Sequence, residues 1–294
     1  MKNNDIFNIQ RFGKYFISDL KTCRANYGLT LLVISVLVPL ALYVIYAAIY
    51  GVFAHKWGGP DVFTRLFVFA MAMLCMTVTM PVKCYGKLTD KQYGSFWISI
   101  PASRLEKFLS MVIIVSMVAP LASAILYLLV DYILCLADYT CGKSLIGGGV
   151  WLLREFEGGK DAILASMASE MPEIADSFKS ILNQISSPWL YIDEYLAMCL
   201  PFLLGAIYFK NSKIVKTFLA LAAISSVLSI IATPLMAGYY IDMLTGAISE
   251  EEAMIKMYSS GLFKHIVLLD IISDTLTNTA LLAGIWLRIK TIKH

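Results

Sequence analysis

Apolar residues in this chain gather into long uninterrupted runs instead of being spaced along one face. Six runs approach or exceed the roughly 20 residues that a helix needs to cross a hydrocarbon core about 30 Å thick. They are Gly28–Gly51, Phe63–Val82, Phe108–Ala137, Ile192–Phe209, Lys216–Ile241 and Phe263–Leu287. Strands of a membrane barrel would alternate apolar and polar residues over about ten positions. Stretches such as LTLLVISVLVPLALYVIYAAIY do not, so the pattern predicts an all-α polytopic membrane protein with six transmembrane helices, residues 28–294 forming one spanning domain. The third run is long enough to tilt and the fourth is short. Pro39, Pro120, Pro201 and Pro234 lie inside runs and predict kinks, which membrane helices tolerate because neighbouring groups satisfy the freed backbone.

A 3.6-residue pattern is confined to the segments outside these runs. Within residues 1–27, Ile9, Phe12, Phe16 and Leu20 share one face while Arg11, Lys14 and Lys21 lie elsewhere. This predicts an amphipathic helix in the cytoplasmic interface, the plainer alternative being a basic leader that only fixes topology. No short apolar core precedes a small-residue cleavage site in this segment, so a cleavable signal peptide is not expected. The connection 138–191 carries a second stripe, from Ile163 through Ile185, opposite Asp161, Glu170, Glu173, Asp176 and Lys179. One or two outward helices follow, with a break at Pro172, and a lid packed on the outer ends of the spans is favoured over a substrate-binding surface. Ser249 followed by Glu250, Glu251 and Glu252 reads as a helix start in the fifth connection.

Composition agrees: 59% of residues are hydrophobic, only 15% are charged and mean hydropathy is +0.71. Soluble domains are nearer half apolar and a quarter charged, so a disordered chain and a disulfide-stapled secreted module are excluded. With 24 Lys and Arg against 21 Asp and Glu, the net charge of +3 leaves no basic domain for nucleic acid. The charges set orientation instead. Sixteen of the 24 basic residues cluster before the first run, in the second and fourth connections, and after the last run. The positive-inside rule then places both termini in the cytoplasm and the third and fifth connections outside.

Two stretches imitate catalytic motifs. Residues Ala137 to Ser144, ADYTCGKS, match a relaxed phosphate loop, but that loop works between a strand and a helix, where backbone N–H groups cradle phosphate. Here it follows an apolar helix and faces outward, away from cytoplasmic ATP. Glu251 to Lys256 approach the EExxxR signature of intramembrane proteases, yet His55, His265 and His294 offer no plausible ligand set. The six cysteines, Cys23, Cys75, Cys84, Cys135, Cys141 and Cys199, include no CxxC pair and are read as free thiols. No metal site and no cofactor is expected in this chain.

Ionisable groups inside the runs carry more information. Asp270 and Asp274 are one turn apart with Asn278 a turn further on, and Asp131 lies toward the outer end of the third run. An acid at bilayer depth costs about 2.5–3.5 kcal/mol on insertion scales, so these side chains should face protein or water. They are candidates for a polar translocation path; the alternative is interhelical hydrogen bonding, which Ser225, Ser229 and Thr233 at one-turn spacing would also serve.

The cytoplasmic connection between the second and third runs, YGKLTDKQYGSFWISIPASRLEKF from Tyr85 to Phe108, mixes lysines with Tyr93, Phe96 and Trp97. Such a surface either docks a partner or anchors at headgroups. With Ile100 to Ser110, IPASRLEKFLS, the chain resembles the membrane permease subunits of type-2 ATP-binding-cassette exporters, notably permease-like proteins of Bacteroidota. The resemblance implies a coupling helix in this connection, with Tyr93, Phe96, Trp97, Arg104, Glu106 and Lys107 at or near an ATPase subunit. It also implies pairing with a second permease copy or a sibling, and ATP and magnesium held by the partner ATPase, since no ATPase domain is present. Export across a bacterial inner membrane is the function so implied. A stand-alone secondary transporter or channel using the intramembrane acids is the alternative, disfavoured by the lack of evident inverted repeats. A membrane sensor or assembly protein that transports nothing is a third.

Overall fold

The computed structural model describes residues 7–148, 188–244 and 262–291, and among them the chain is helical with no strand. Helix α1 (Ile9–Leu32) starts at Asn8, whose side chain accepts from the N–H groups of Gln10 and Arg11. It runs through a π turn, Val33–Leu37, directly into α2 (Val38–Ala54). The stretch Ile9–Phe53 is 45 residues long, or about 68 Å at 1.5 Å per residue, more than twice a hydrocarbon core. The expected interfacial helix is therefore not a separate element but the first part of the first span's own helix. Gly28 does not break it: glycine costs only about 1 kcal/mol in a helix interior, and Cys23 and Tyr27 are buried immediately before it. The helix stops at His55, in the left-handed region with φ 51°.

Helix α3 (Val62–Tyr85) is capped by Asp61 and followed by a 3₁₀ turn, Gly86–Thr89, and the short helix α4 (Lys91–Ser99). Helix α5 (Arg104–Ile113) opens with a capping box between Ser103 and Glu106, and a second π turn, Ile114–Val118, leads into α6 (Ala119–Ala137). Among the described residues, Ile9–Phe53, Val62–Thr89 and Arg104–Ala137 are long and apolar enough to cross a membrane. The three later predicted runs also fall on helices: α7 (Pro188–Tyr208), α8 (Lys213–Leu244) and α9 (Leu262–Thr291).

Both π turns precede a proline, at Pro39 and Pro120. A proline ring clashes with the carbonyl four residues back and donates no hydrogen bond to it. Inserting one extra residue into the turn relieves the clash, and the N–H groups of Val38 and Ala119 donate five residues back, to Val33 and Ile114. The kinks expected at these two prolines thus take the form of π turns. Near them the hydroxyls of Ser35 and Ser123, both fully buried, lie 2.7 Å apart.

The chain forms two compact units. The first comprises Met1–Leu153, Met198–Ile214 and Leu282–His294; the second comprises Arg154–Ala197 and Val215–Leu281. In the first, Leu200, Leu203, Ile207, Ile285 and Ile289 are fully buried, and a separate cluster joins Ala72, Tyr127 and Leu145 with Phe69 edge-on to Tyr127. The stripe expected from Ile163 to Ile185 and the acidic start at Glu250 to Glu252 lie outside the described residues, as does the side chain of Asp270.

Candidate functional site

Helix α4 is moored from behind. Its Trp97 is buried and donates its indole N–H to Tyr15 Oη of α1 at 3.1 Å. The ammonium of Lys107, on α5, donates to the carbonyls of Trp97 at 2.7 Å and Ile98 at 3.2 Å and stands 4.8 Å from the Trp97 ring centroid. A cation over the last carbonyls of a helix satisfies groups that have no partner within the helix. Phe96 points the other way and is 66% exposed, with Ile98 also exposed. Tyr93 is half-buried, and its hydroxyl is pushed above the ordinary tyrosine range chiefly by that burial.

Glu106, with no exposed surface, ties the starts of α1 and α5 together. Its carboxylate accepts from the backbone N–H groups of Asn8 and Ser103, each at 2.9 Å, and from the Arg11 guanidinium through Nε and Nη2 at 2.9–3.0 Å. Further along, Asp19 of α1 accepts from Ser110 Oγ of α5 at 2.6 Å and Tyr85 Oη of α3 at 3.1 Å, and Tyr27 pairs with Thr79 at 3.0 Å. The opposite flank of α4 is held at the 3₁₀ turn. Lys213 reaches the carbonyls of Gly86 (2.7 Å), Phe209 (2.8 Å) and Ala206 (3.1 Å) and the Thr89 hydroxyl (2.7 Å). Burial draws its ammonium below the ordinary lysine range, and Asp90 acts against that. Arg104, exposed, donates to the carbonyl of Lys290 near the end of α9 at 2.9 Å.

Of the six residues expected at a partner contact, Phe96, Arg104 and part of Tyr93 therefore present surface. Trp97, Glu106 and Lys107 turn inward and fix the position of α4. The buried face of α1 is Tyr15, Asp19, Cys23 and Tyr27, not the stripe of Ile9, Phe12, Phe16 and Leu20, of which Ile9 is 74% exposed. Apolar periodicity passes over such a face because three of its four residues carry polar atoms. The signal available was their exact four-residue spacing.

Asp131 has a different setting from the other acids. It is buried against Arg65, Oδ1 accepting from Nη1 at 2.7 Å, while Oδ2 accepts from the Leu145 N–H at 2.6 Å. Arg65 spends its remaining donors on Pro60 O (3.1 Å), Cys135 Sγ (2.7 Å), Cys141 O (2.9 Å) and Lys143 O (2.6 Å). The sequence that imitates a phosphate loop thus turns carbonyls onto a cation, the reverse polarity of an anion cradle. Beside it Asp138 accepts from Tyr43 Oη (2.7 Å), Trp57 Nε1 (2.6 Å) and the hydroxyl and N–H of Thr140 (2.7 and 2.9 Å). These donors, Tyr43 first, hold its carboxyl well below the usual carboxylate range.

In the second unit Asn278 is buried, and its amide donates to Asp193 O at 2.8 Å and Asp193 Oδ1 at 2.6 Å. Thr275 Oγ1 lies 3.0 Å from Asp193 Oδ2. Asn278 Oδ1 is buried without a hydrogen-bond partner. Asp274, half-buried, lies one turn away on the same helix. The expected polar residues thus divide: Asp131 belongs to the first unit, Asp270, Asp274 and Asn278 to the second. Asp193, the acid that Asn278 engages, stands at the edge of its apolar run, where a charge gives no signal in the sequence. Among the described residues no group of three or more His, Cys, Asp or Glu side chains is arranged to hold a metal ion.

No protein-family model, curated protein or solved structure matches this chain. What the described residues establish is an all-helical structure with the character of a membrane protein.

Proposed function

We propose that this chain is the permease subunit of an ATP-driven exporter of a bacterial inner membrane. In this reading six helices cross the bilayer with both termini inside, and two permeases, identical or sibling, form the path. Separate cytoplasmic ATPase subunits, which hold the ATP and magnesium, dock on α4. The observation that carries the reading is the construction of α4: a short helix between two membrane-crossing helices, with Phe96 and Ile98 outward and Trp97 locked inward. A helix held on α1 and α5 passes a push on its outer face to long helices as rigid-body motion, where a loose loop would absorb it. Hydrolysis belongs to the partner, and this chain is the moving part.

The test is purification of the tagged protein from its host in mild detergent, with mass spectrometry of what accompanies it. A stoichiometric ATPase should copurify with the natural chain and fall at least tenfold with Phe96→Asp, while size-exclusion behaviour and melting temperature stay unchanged. Folded protein recovered without any ATPase in several detergents would end this reading. The runner-up, a stand-alone transporter, draws on the Asp193, Thr275 and Asn278 group with Asp274. It expects proton-driven flux in liposomes containing this chain alone, abolished by Asp274→Asn.

A further inference from the structure

Three of the predicted apolar runs end on one small cavity of the first unit. Asn26 stands two residues before the run Gly28–Gly51, Lys83 immediately follows Phe63–Val82, and Lys210 immediately follows Ile192–Phe209. All three line a cavity of about 350 Å³ together with Lys87, Asp90 and Lys213. Its walls are the later part of α1, the end of α3 with the 3₁₀ turn that follows, and the link between α7 and α8. Hydrocarbon stops where the apolar runs stop, so the cavity lies at the depth of the lipid headgroups.

Its charge is one-sided. Four ammonium groups line it against a single carboxylate, that of Asp90. Lys213 is spent on the carbonyls of Gly86, Ala206 and Phe209 and on the Thr89 hydroxyl, and so fixes one wall. Lys83 donates to the neutral Thr30 hydroxyl at 2.7 Å. Lys87 and Lys210 are exposed and make no hydrogen bond or ion pair through their side chains among the described residues. The amide of half-buried Asn26 is likewise without a partner among them. Like charges gathered in one concavity raise the potential there, and an anion that enters relieves their repulsion. Just beyond Asn26, α1 exposes Leu29, Leu32 and Val33. A ligand with a phosphate at one end and hydrocarbon at the other meets both surfaces at once.

We propose that this cavity binds the phosphate headgroup of an anionic phospholipid, with Lys87 and Lys210 pairing with phosphate oxygens, the Asn26 amide donating to them, and an acyl chain lying along Leu29 and Val33. Basic pockets between membrane helices hold acidic headgroups by this combination of charge and depth. The bound lipid ties α1, the end of α3 and the α7–α8 link together at one level. The membrane character of these helices suffices for the site; neither the ATPase nor the direction of transport enters into it. A soluble phosphate shares the headgroup chemistry but gains nothing from the exposed apolar face of α1.

Thermal unfolding of the protein in neutral detergent tests the site, because a ligand that binds the folded state raises the melting temperature as it saturates. The protein is titrated with phosphatidylglycerol or phosphatidylcholine in mixed micelles and, without lipid, with inorganic phosphate. A saturating rise with phosphatidylglycerol alone is expected. Lys87→Gln with Lys210→Gln should weaken the apparent affinity at least tenfold and leave the lipid-free melting temperature unchanged, since neither side chain holds another residue. Lys14→Gln with Lys21→Gln makes the same charge change on exposed lysines of α1 outside the cavity and should alter the affinity less than twofold. Equal weakening by both pairs overturns the proposal in favour of diffuse surface charge. An equal response to phosphatidylcholine, or none to phosphatidylglycerol, overturns headgroup recognition, and a response to inorganic phosphate that matches the lipid overturns the lipid. These three titrations of the natural chain decide the outcome even where a variant fails to fold. Lipid affinity lost with the ATPase still copurifying, or the reverse, separates this site from the exporter reading.

Discussion

Glu106 and Arg65 are two charged residues with opposite jobs in the same unit. Glu106 satisfies two helix starts and one guanidinium with a single carboxylate, so Glu106→Ala removes a capping box and a charge-assisted fork at once. The expected loss is about 3 kcal/mol of stability, against about 1 kcal/mol for Arg11→Ala, which leaves the caps intact and removes a partner that is one-third exposed. Thermal unfolding of the three proteins in one detergent reads the difference. Arg65 is the reverse case, a cation surrounded by acceptors. Removing it strands buried Asp131, and Arg65→Ala should cost about 3–5 kcal/mol. Adding Asp131→Asn should recover part of that, giving a coupling of about 1–3 kcal/mol in a double-mutant cycle. Strict additivity would mean that the pair is not what holds the carbonyls of Cys141 and Lys143 around Arg65. Asp138 sets a pH dependence. Its folded pKa lies below the unfolded value of about 3.9, so its contribution is present above that pH and fades as pH falls toward the folded value. The melting-temperature gap between the natural chain and Asp138→Asn should therefore be widest above about pH 4 and close on acidification, with Trp57 fluorescence reporting the lost contact.

At the scale of elements the π turns decide register. Each inserts one residue before a proline, and everything after it is rotated by about 100° relative to an uninterrupted helix. The buried contact between Ser35 and Ser123 depends on that rotation, since Ser123 follows the second turn. With Ser35→Cys and Ser123→Cys, mild oxidation should cross-link the two helices efficiently. Replacing Pro120 by Ala in that background removes the clash that sustains the π turn and should abolish the cross-link. Persistence of the bond would show that packing, not the proline, maintains the turn. The short helix α4 illustrates the same dependence on neighbours. At nine residues it is below the length at which isolated helices are stable in water, so the contacts of Trp97 and Lys107 stabilise it.

For the whole molecule, one helix of 45 residues runs from the Glu106 junction to the neighbourhood of Asp138 and its donors. A displacement of α4 bears on α1 through Trp97 and Tyr15, and α1 is continuous with α2, whose Tyr43 reaches Asp138. Helices of this kind move as rods with flexibility concentrated at their irregular turns, which here are the two π turns. The predicted loss of a copurifying ATPase with Phe96→Asp belongs to this scale, because it tests whether the outer face of α4 is where force enters.

Helical, membrane character and the rough place of each apolar run are legible in the chain alone. Those properties follow from transfer free energy summed over about 20 consecutive residues, a local quantity that needs no knowledge of neighbours. The chain also marks Asp131, Phe96 and Glu106 as unusual, since a charge beside an apolar helix or an aromatic in a basic connection stands out in one dimension. What those residues do follows from the partners that folding brings to them. Whether Asp131 lines a path or holds an arginine depends on Arg65, 66 positions earlier, and Glu106 works through Asn8 and Arg11, nearly a hundred positions away. Pairings at that separation are fixed by packing geometry and leave no period in the chain. The face of α1 built from Tyr15, Asp19, Cys23 and Tyr27 is illegible in the sequence for a related reason: polar side chains become core only when specific donors and acceptors on other helices meet them.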